Sequence, residues 1–148
     1  MTINYFDGKY AFLSNFYSCP VTYEGVRYEN SEAAFQAAKC CNKNDRLQFC
    51  GLNPSHAKKL GRKIKLRADW EKIKVLEMRK IVREKFIQNP NLKKALISTG
   101  KTTLVEGNYW HDNTWGNCTC EKCKNIPGKN YLGTILEDIR TEFSQENH

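Results

Sequence analysis

No apolar run in these 148 residues approaches the roughly 20 that a helix needs to cross a bilayer, so the sequence asks for no membrane. Proline is scarce, at 4 residues, and no stretch is dominated by glycine or serine. That excludes a flexible linker or a low-complexity tail. No internal repeat is present, which excludes a solenoid. The opening Met1-Thr2-Ile3-Asn4-Tyr5 lacks a basic segment followed by an apolar one, so no secretory leader is expected and a cytoplasmic location is. Seven cysteines is an odd count; without a leader it argues against a disulfide framework and for reduced thiols or a metal site. Acidic residues are the minority, 16 against 24 Lys and Arg, for a formal charge of +8. Such an excess suits a phosphate-bearing partner, whether nucleic acid or a phosphorylated metabolite.

What is present is enough for one compact domain with a real core: 40% of residues are hydrophobic and 11% aromatic. Short strands are expected at Tyr5-Phe6 and Phe12-Leu13, then a hairpin from Val21-Thr22-Tyr23 to Val26-Arg27-Tyr28 around Glu24-Gly25. Helices follow at Asn30 to Lys39, near Asp45 to Cys50, and from Pro54 to Leu60-Gly61. Asp69 reads as the N-cap of a long helix from Trp70 to about Gln88, with Val75, Met78, Val82 and Phe86 on its core face. The many cations between Lys58 and Lys85 read as a solvated face. After Asn89-Pro90 come a short helix from Asn91 to Ser98 closed by Gly100, a strand from Thr102 to Glu106, an irregular loop from Gly107 to Lys129, and a final helix from about Asn130 to Phe143. The fold class is α+β, mostly helical with a small antiparallel sheet, as a single domain over residues 1–148 with its core at about 5–143.

The helix Asn30-Ser31-Glu32-Ala33-Ala34-Phe35-Gln36-Ala37-Ala38-Lys39 concentrates the chemistry. Glu32, Gln36 and Lys39 stand at i, i+4 and i+7, so a carboxylate, an amide and an amine share one face. The other faces carry alanines and one Phe, which allow close packing all round. A solvated surface helix accounts for this stretch taken alone. If the helix is buried, the three polar groups must line a cavity or a ligand, because burying them without partners costs several kcal/mol.

Taken in order, Phe12-Leu13-Ser14-Asn15-Phe16-Tyr17, the alanine-rich helix, Gly61-Arg62, Asp69-Trp70, Leu104-Val105-Glu106, Asp112 with Trp115-Gly116, Gly128-Lys129-Asn130 and Leu132-Gly133 resemble the NADAR (YbiA-like) family over nearly the whole chain. That resemblance implies the family's compact α+β fold and an N-glycosidase that cuts between a ribose carbon and a base-like nitrogen. Bacterial members hydrolyse the first two ribosylated intermediates of riboflavin biosynthesis, and others remove ADP-ribose from guanine. By the motif match, Glu32 and Asp112 are the two carboxylates and Lys39 the amine of the reacting centre. An oxocarbenium-like sugar calls for a carboxylate beside the ribose, and the leaving nitrogen for an acid. Lys39 holds a ribose phosphate, donates to a ring hydroxyl or attacks the sugar; the sequence leaves all three open. Trp70 and Trp115 offer faces for a pyrimidine-like ring, and Arg62 is a candidate phosphate anchor. Gln36 and Asn15 support the substrate from behind, as does Glu106. No cofactor is required by this chemistry. The expected partner is a small phosphorylated N-riboside, with ADP-ribosylated nucleic acid, or a non-catalytic module for ADP-ribose, NAD or nucleic acid, as the alternatives.

Each residue also has an ordinary explanation. Trp70 suits a core anchor, Asp112 a turn, Glu106 a surface ion pair, and Ser14-Asn15 a loop. The chain departs from shorter family members, which carry a glycine-rich loop, at Cys118, Cys120 and Cys123. Three thiolates within six residues suit one structural zinc. The fourth ligand would be His111, Cys40, Cys41 or a partner chain; reduced loop cysteines are the plain alternative.

Overall fold

The computed structural model describes residues 1–146. They form two compact units, one of residues 15–90 and one of residues 1–14 together with 91 onward. Both combine helices with short strand pairs, so the class is α+β.

In the unit of residues 15–90, strands β2 (Val21–Tyr23) and β3 (Val26–Tyr28) pair antiparallel with Val21 opposite Tyr28. The turn between them needs left-handed backbone at both corners, Glu24 at φ 49° and Gly25 at φ 80°, the geometry that two-residue hairpins favour. Inward residues Val21, Tyr23, Val26 and Tyr28 are buried. Helix α1 (Ser31–Ala37) follows at once, because Asn30 takes extended backbone and accepts the Ala33 N–H at 2.8 Å. Helices α2 (Lys43–Arg46) and α3 (Pro54–Gly61) start on Asn42 and Asn53 in the same way. A 3-10 turn at Leu47–Phe49 completes the piece expected near Asp45.

Helix α4 (Trp70–Gln88) has the expected bounds but differs in two respects. Asp69 occupies the N-cap position without capping; its carboxylate is held by Arg67 Nε at 2.7 Å instead. The core face is Trp70, Met78, Ile81, Val82 and Phe86, with Glu77 and Lys85 buried beside them and Val75 only partly covered. Lys85 is thus no part of a solvated face. Glu77 accepts a 2.7 Å hydrogen bond from the Tyr23 hydroxyl, which burial and that bond together hold well above the ordinary phenol range.

In the other unit, β1 (Thr2–Ile3) runs parallel to β4 (Thr103–Leu104), with Thr2 opposite Thr103. This replaces the strand expected at Tyr5-Phe6. Phe12-Leu13 lies in a 3-10 helix, Gly8–Leu13, opened by the Tyr10 N–H on Asp7 C=O at 2.9 Å. β4 ends before Glu106, whose N–H goes to Asn130 Oδ1 at 3.0 Å and not to a neighbouring strand. The segment expected to be irregular contains a second parallel pair, β5 (Gly107–Asn108) with β6 (Asn117–Cys118). Among the described residues the strands form three separate pairs in place of one small antiparallel sheet, the hairpin being antiparallel and the other two parallel. Helix α5 (Pro90–Ser98) and helix α6 (Tyr131–Glu146) complete the chain. From α6, Arg140 reaches Thr102 C=O at 2.7 Å and the Thr99 hydroxyl at 2.9 Å. Among the described residues no helix is long and apolar enough to cross a membrane.

Candidate active site

Helix α1 is buried along its whole length. Asn15 anchors its start from the preceding loop: its C=O accepts the Glu32 N–H at 3.1 Å, and its Oδ1 accepts the Ser31 hydroxyl at 3.0 Å. Asn15 is thus tied to the helix and is itself buried. Glu32 keeps 7% of its surface accessible and Gln36 keeps 5%. One helical turn apart, they meet through Gln36 Nε2 donating to Glu32 Oε1 at 3.3 Å. A carboxylate this buried, with an amide donor fixed beside it, is the environment the spacing in the sequence anticipates.

Gln36 is held from behind by α3. A Cβ on Gly61 would overlap Gln36 Oε1, so the glycine is what lets the two helices approach. That same oxygen is buried with no hydrogen-bond partner among the described residues, which leaves an acceptor with unspent capacity next to Glu32.

Lys39, one turn further on, is half-buried. Burial lowers its ammonium pKa from the ordinary lysine value; Arg62 and Lys58 push the same way, while Glu32 opposes them. Its carbonyl accepts the Arg67 N–H at 2.9 Å, which straps the basic segment to the end of the helix. Arg62 is exposed at the C-cap of α3. Lys58, which sequence reading passes over as part of a charged run, lies 5.9 Å from the ring of exposed Phe16. The signal for it was available: Lys58 and Arg62 stand at i and i+4 on a helix whose Ala57 and Gly61 are its buried positions. Trp70 is buried against Phe35, ring centroids 5.2 Å apart and tilted by 50°.

The unit of residues 15–90 thus carries Asn15, Glu32, Gln36, Lys39, Arg62 and Trp70. The remaining expected residues belong to the other unit. There Asp112 Oδ1 accepts the N–H groups of Thr114 at 3.1 Å and Trp115 at 2.9 Å, and its own N–H and C=O are both held by the Asn108 side chain. Its turn is rigid, and it sets the direction of Trp115, which meets the Tyr131 ring edge-on at 6.1 Å. Glu106 is partly buried at the end of the β4 segment. Cys118, Cys120 and Cys123 surround His111, while Cys40 and Cys41 belong to the other unit.

Comparison with known proteins agrees with these motifs. The sequence profile of the NADAR domain family matches residues 4–144. A riboflavin biosynthesis protein of Vibrio vulnificus is 36% identical over 148 residues, which is 94% of this chain but 37% of that protein's length. N-glycosidase YbiA of Escherichia coli is 33% identical over 144 residues, covering 93% of this chain and 84% of the relative. The NMR structure of E. coli YbiA superposes with a TM-score of 0.82 at 31% identity, over 99% of this chain and 86% of that one.

Proposed function

This chain belongs to the NADAR domain family, and on that premise we propose that it is an N-glycosidase: a hydrolase that separates a ribose phosphate from a base-like amine. The observation that carries the reading is the buried Glu32–Gln36 pair followed at i+7 by an amine whose pKa burial has lowered. Scission of the C1–N bond leaves positive charge on the sugar ring. The Glu32 carboxylate stabilises that charge and takes a proton from the attacking water. The departing nitrogen gains a proton, and the products are free amine and ribose phosphate.

Lys39 suits two tasks on this route. As an ammonium with lowered pKa it delivers the proton to the leaving nitrogen; as a free amine it attacks C1, displaces the base and forms an imine that water then cleaves. Borohydride added during turnover separates the two, since only the imine leaves a reduced ribose adduct on Lys39. Arg62 and Lys58 supply the charge that holds a phosphate near that amine. Asp112 and Trp115 join the reading through the family motif that they match. The substrate we propose is an early ribosylaminopyrimidine phosphate, in keeping with the riboflavin biosynthesis for which the V. vulnificus relative is named. The relatives' names equally admit other N-ribosides, so ADP-ribosylated guanine in DNA is assayed in parallel.

The test is release of free base, followed by mass spectrometry. Glu32→Gln keeps an acceptor for Gln36 but loses the charge. It should lower turnover by about 10²–10⁴-fold with an unchanged circular dichroism spectrum. Near-full turnover in that variant removes Glu32 from the mechanism.

A further inference from the structure

The cysteines set aside by the glycosidase chemistry form a centre of their own. His111 Nδ1 lies 3.3 Å from Cys120 Sγ, 3.4 Å from Cys123 Sγ and 4.0 Å from Cys118 Sγ. The four ligand atoms all fall within 4.8 Å of one another. A tetrahedron with bonds of about 2.0 Å to nitrogen and 2.3 Å to sulfur puts its corners roughly 3.5–3.8 Å apart, and the observed separations bracket that spacing.

Hydrogen bonding among the side chains does not account for the arrangement. A neutral imidazole nitrogen has one lone pair, and a thiol is a weak donor, so Nδ1 satisfies one S–H and not three. A cation at the centre satisfies all four at once. We infer that His111, Cys118, Cys120 and Cys123 bind one zinc ion as a closed structural Cys₃His site. Soft thiolates with one imidazole select zinc over magnesium or calcium, and four protein ligands leave no position open for a substrate.

The surrounding backbone is built for this. His111 adopts left-handed backbone at φ 69°, a conformation a non-glycine residue keeps only where its surroundings insist on it. That turn carries the imidazole to the sulfurs, and the His111 N–H donates to Cys118 Sγ at 3.3 Å. Asn113 Oδ1 accepts the Cys118 N–H at 2.8 Å, and the Cys123 N–H closes a turn on Cys120 C=O at 3.0 Å. Such outer contacts orient metal ligands. Cys118 and Cys123 are buried, and Cys120 is partly covered.

The consequence for the loop is direct. Asp112 is the neighbour of one ligand, and Trp115 follows within the same turn, so the ion fixes the base of the segment that presents them. This role is independent of the glycosidase reading.

The experiment is metal analysis of the full chain, purified under reducing conditions without chelator. About one zinc per chain is expected, and Cys120→Ser should fall below about a tenth. Cys41→Ser, an exposed cysteine outside the cluster, should keep the full complement. Cobalt added to metal-stripped protein should give the thiolate charge-transfer and tetrahedral ligand-field bands of such a site. Wild-type protein that holds less than about a tenth of a zinc even after dialysis against zinc chloride overturns the inference. Full zinc retention in Cys120→Ser overturns the ligand set.

Discussion

Lys85 keeps 1% of its surface accessible, with its ammonium 5.3 Å from the centre of the Phe86 ring and 5.8 Å from that of Tyr17. Burial pulls its pKa from 10.5 down to about 8, against the opposing influence of Cys19. Between those two values the unfolded chain binds more protons at this site than the native one, so stability rises with pH across the window, complete above 10.5 and absent below 8. The gain is about 3 kcal/mol. In Lys85→Met that rise should be missing: the variant should exceed wild type in urea stability at pH 7, and the difference should shrink by pH 10. A gap that does not change with pH would refute the assignment. Subtracting the two profiles cancels Tyr23 and Tyr28, whose raised pKa values act in both proteins. Nothing in the sequence marks Lys85, because it sits among other cations and one of the rings around its ammonium, Tyr17, is distant in the chain. Glu32 and Gln36 were legible, since spacing on an alanine-rich helix dictates which way they face.

At the scale of elements, the edge of β2 shows how α4 contributes beyond its apolar face. The Gln88 carboxamide accepts the Thr22 N–H and donates to the Thr22 C=O, both at 2.7 Å, and so stands in for the next strand of a sheet. Gln88→Leu removes both bonds and should destabilise the protein by about 1–3 kcal/mol. Hydrogen exchange at the Thr22 amide should accelerate at the same time; unchanged protection there would show that the clamp is dispensable. The bounds of α3, the end of α4 and the hairpin were readable because Pro54, Asn89-Pro90 and the Glu24-Gly25 turn are local signals, whereas the start of α4 falls as expected although Asp69 does not cap it. In the other unit β4 falls within the strand expected from Thr102 to Glu106, whereas β1, β5 and β6 were not readable. Each is two residues long, too short to show a period, and β1 takes a partner about a hundred residues away.

For the whole molecule, the formal charge of +8 bears on the proposed capture of a phosphorylated substrate and not on the fold. With a phosphorylated riboside, KM should rise by about threefold or more between low ionic strength and roughly 0.5 M salt while kcat holds, because screening weakens attraction to the phosphate. The dephosphorylated riboside should show no such trend. Equal salt sensitivity for both would detach the charge from substrate binding. Family membership was visible from ordered motifs that cover nearly the whole chain. The cysteine–histidine cluster was legible in part: three cysteines announce themselves by spacing and His111 stands among the candidates beside them, but the left-handed turn that brings its ring to the sulfurs is not displayed by a sequence.

The pairing of Thr2 with Thr103 constrains the order of biosynthesis. β1 is synthesised some hundred residues before the strand it pairs with. Residues 15–90 meanwhile have every hairpin and helix contact of their own unit within reach. One unit can therefore condense while synthesis continues, whereas the other must keep its leading segment waiting until the chain comes back to it.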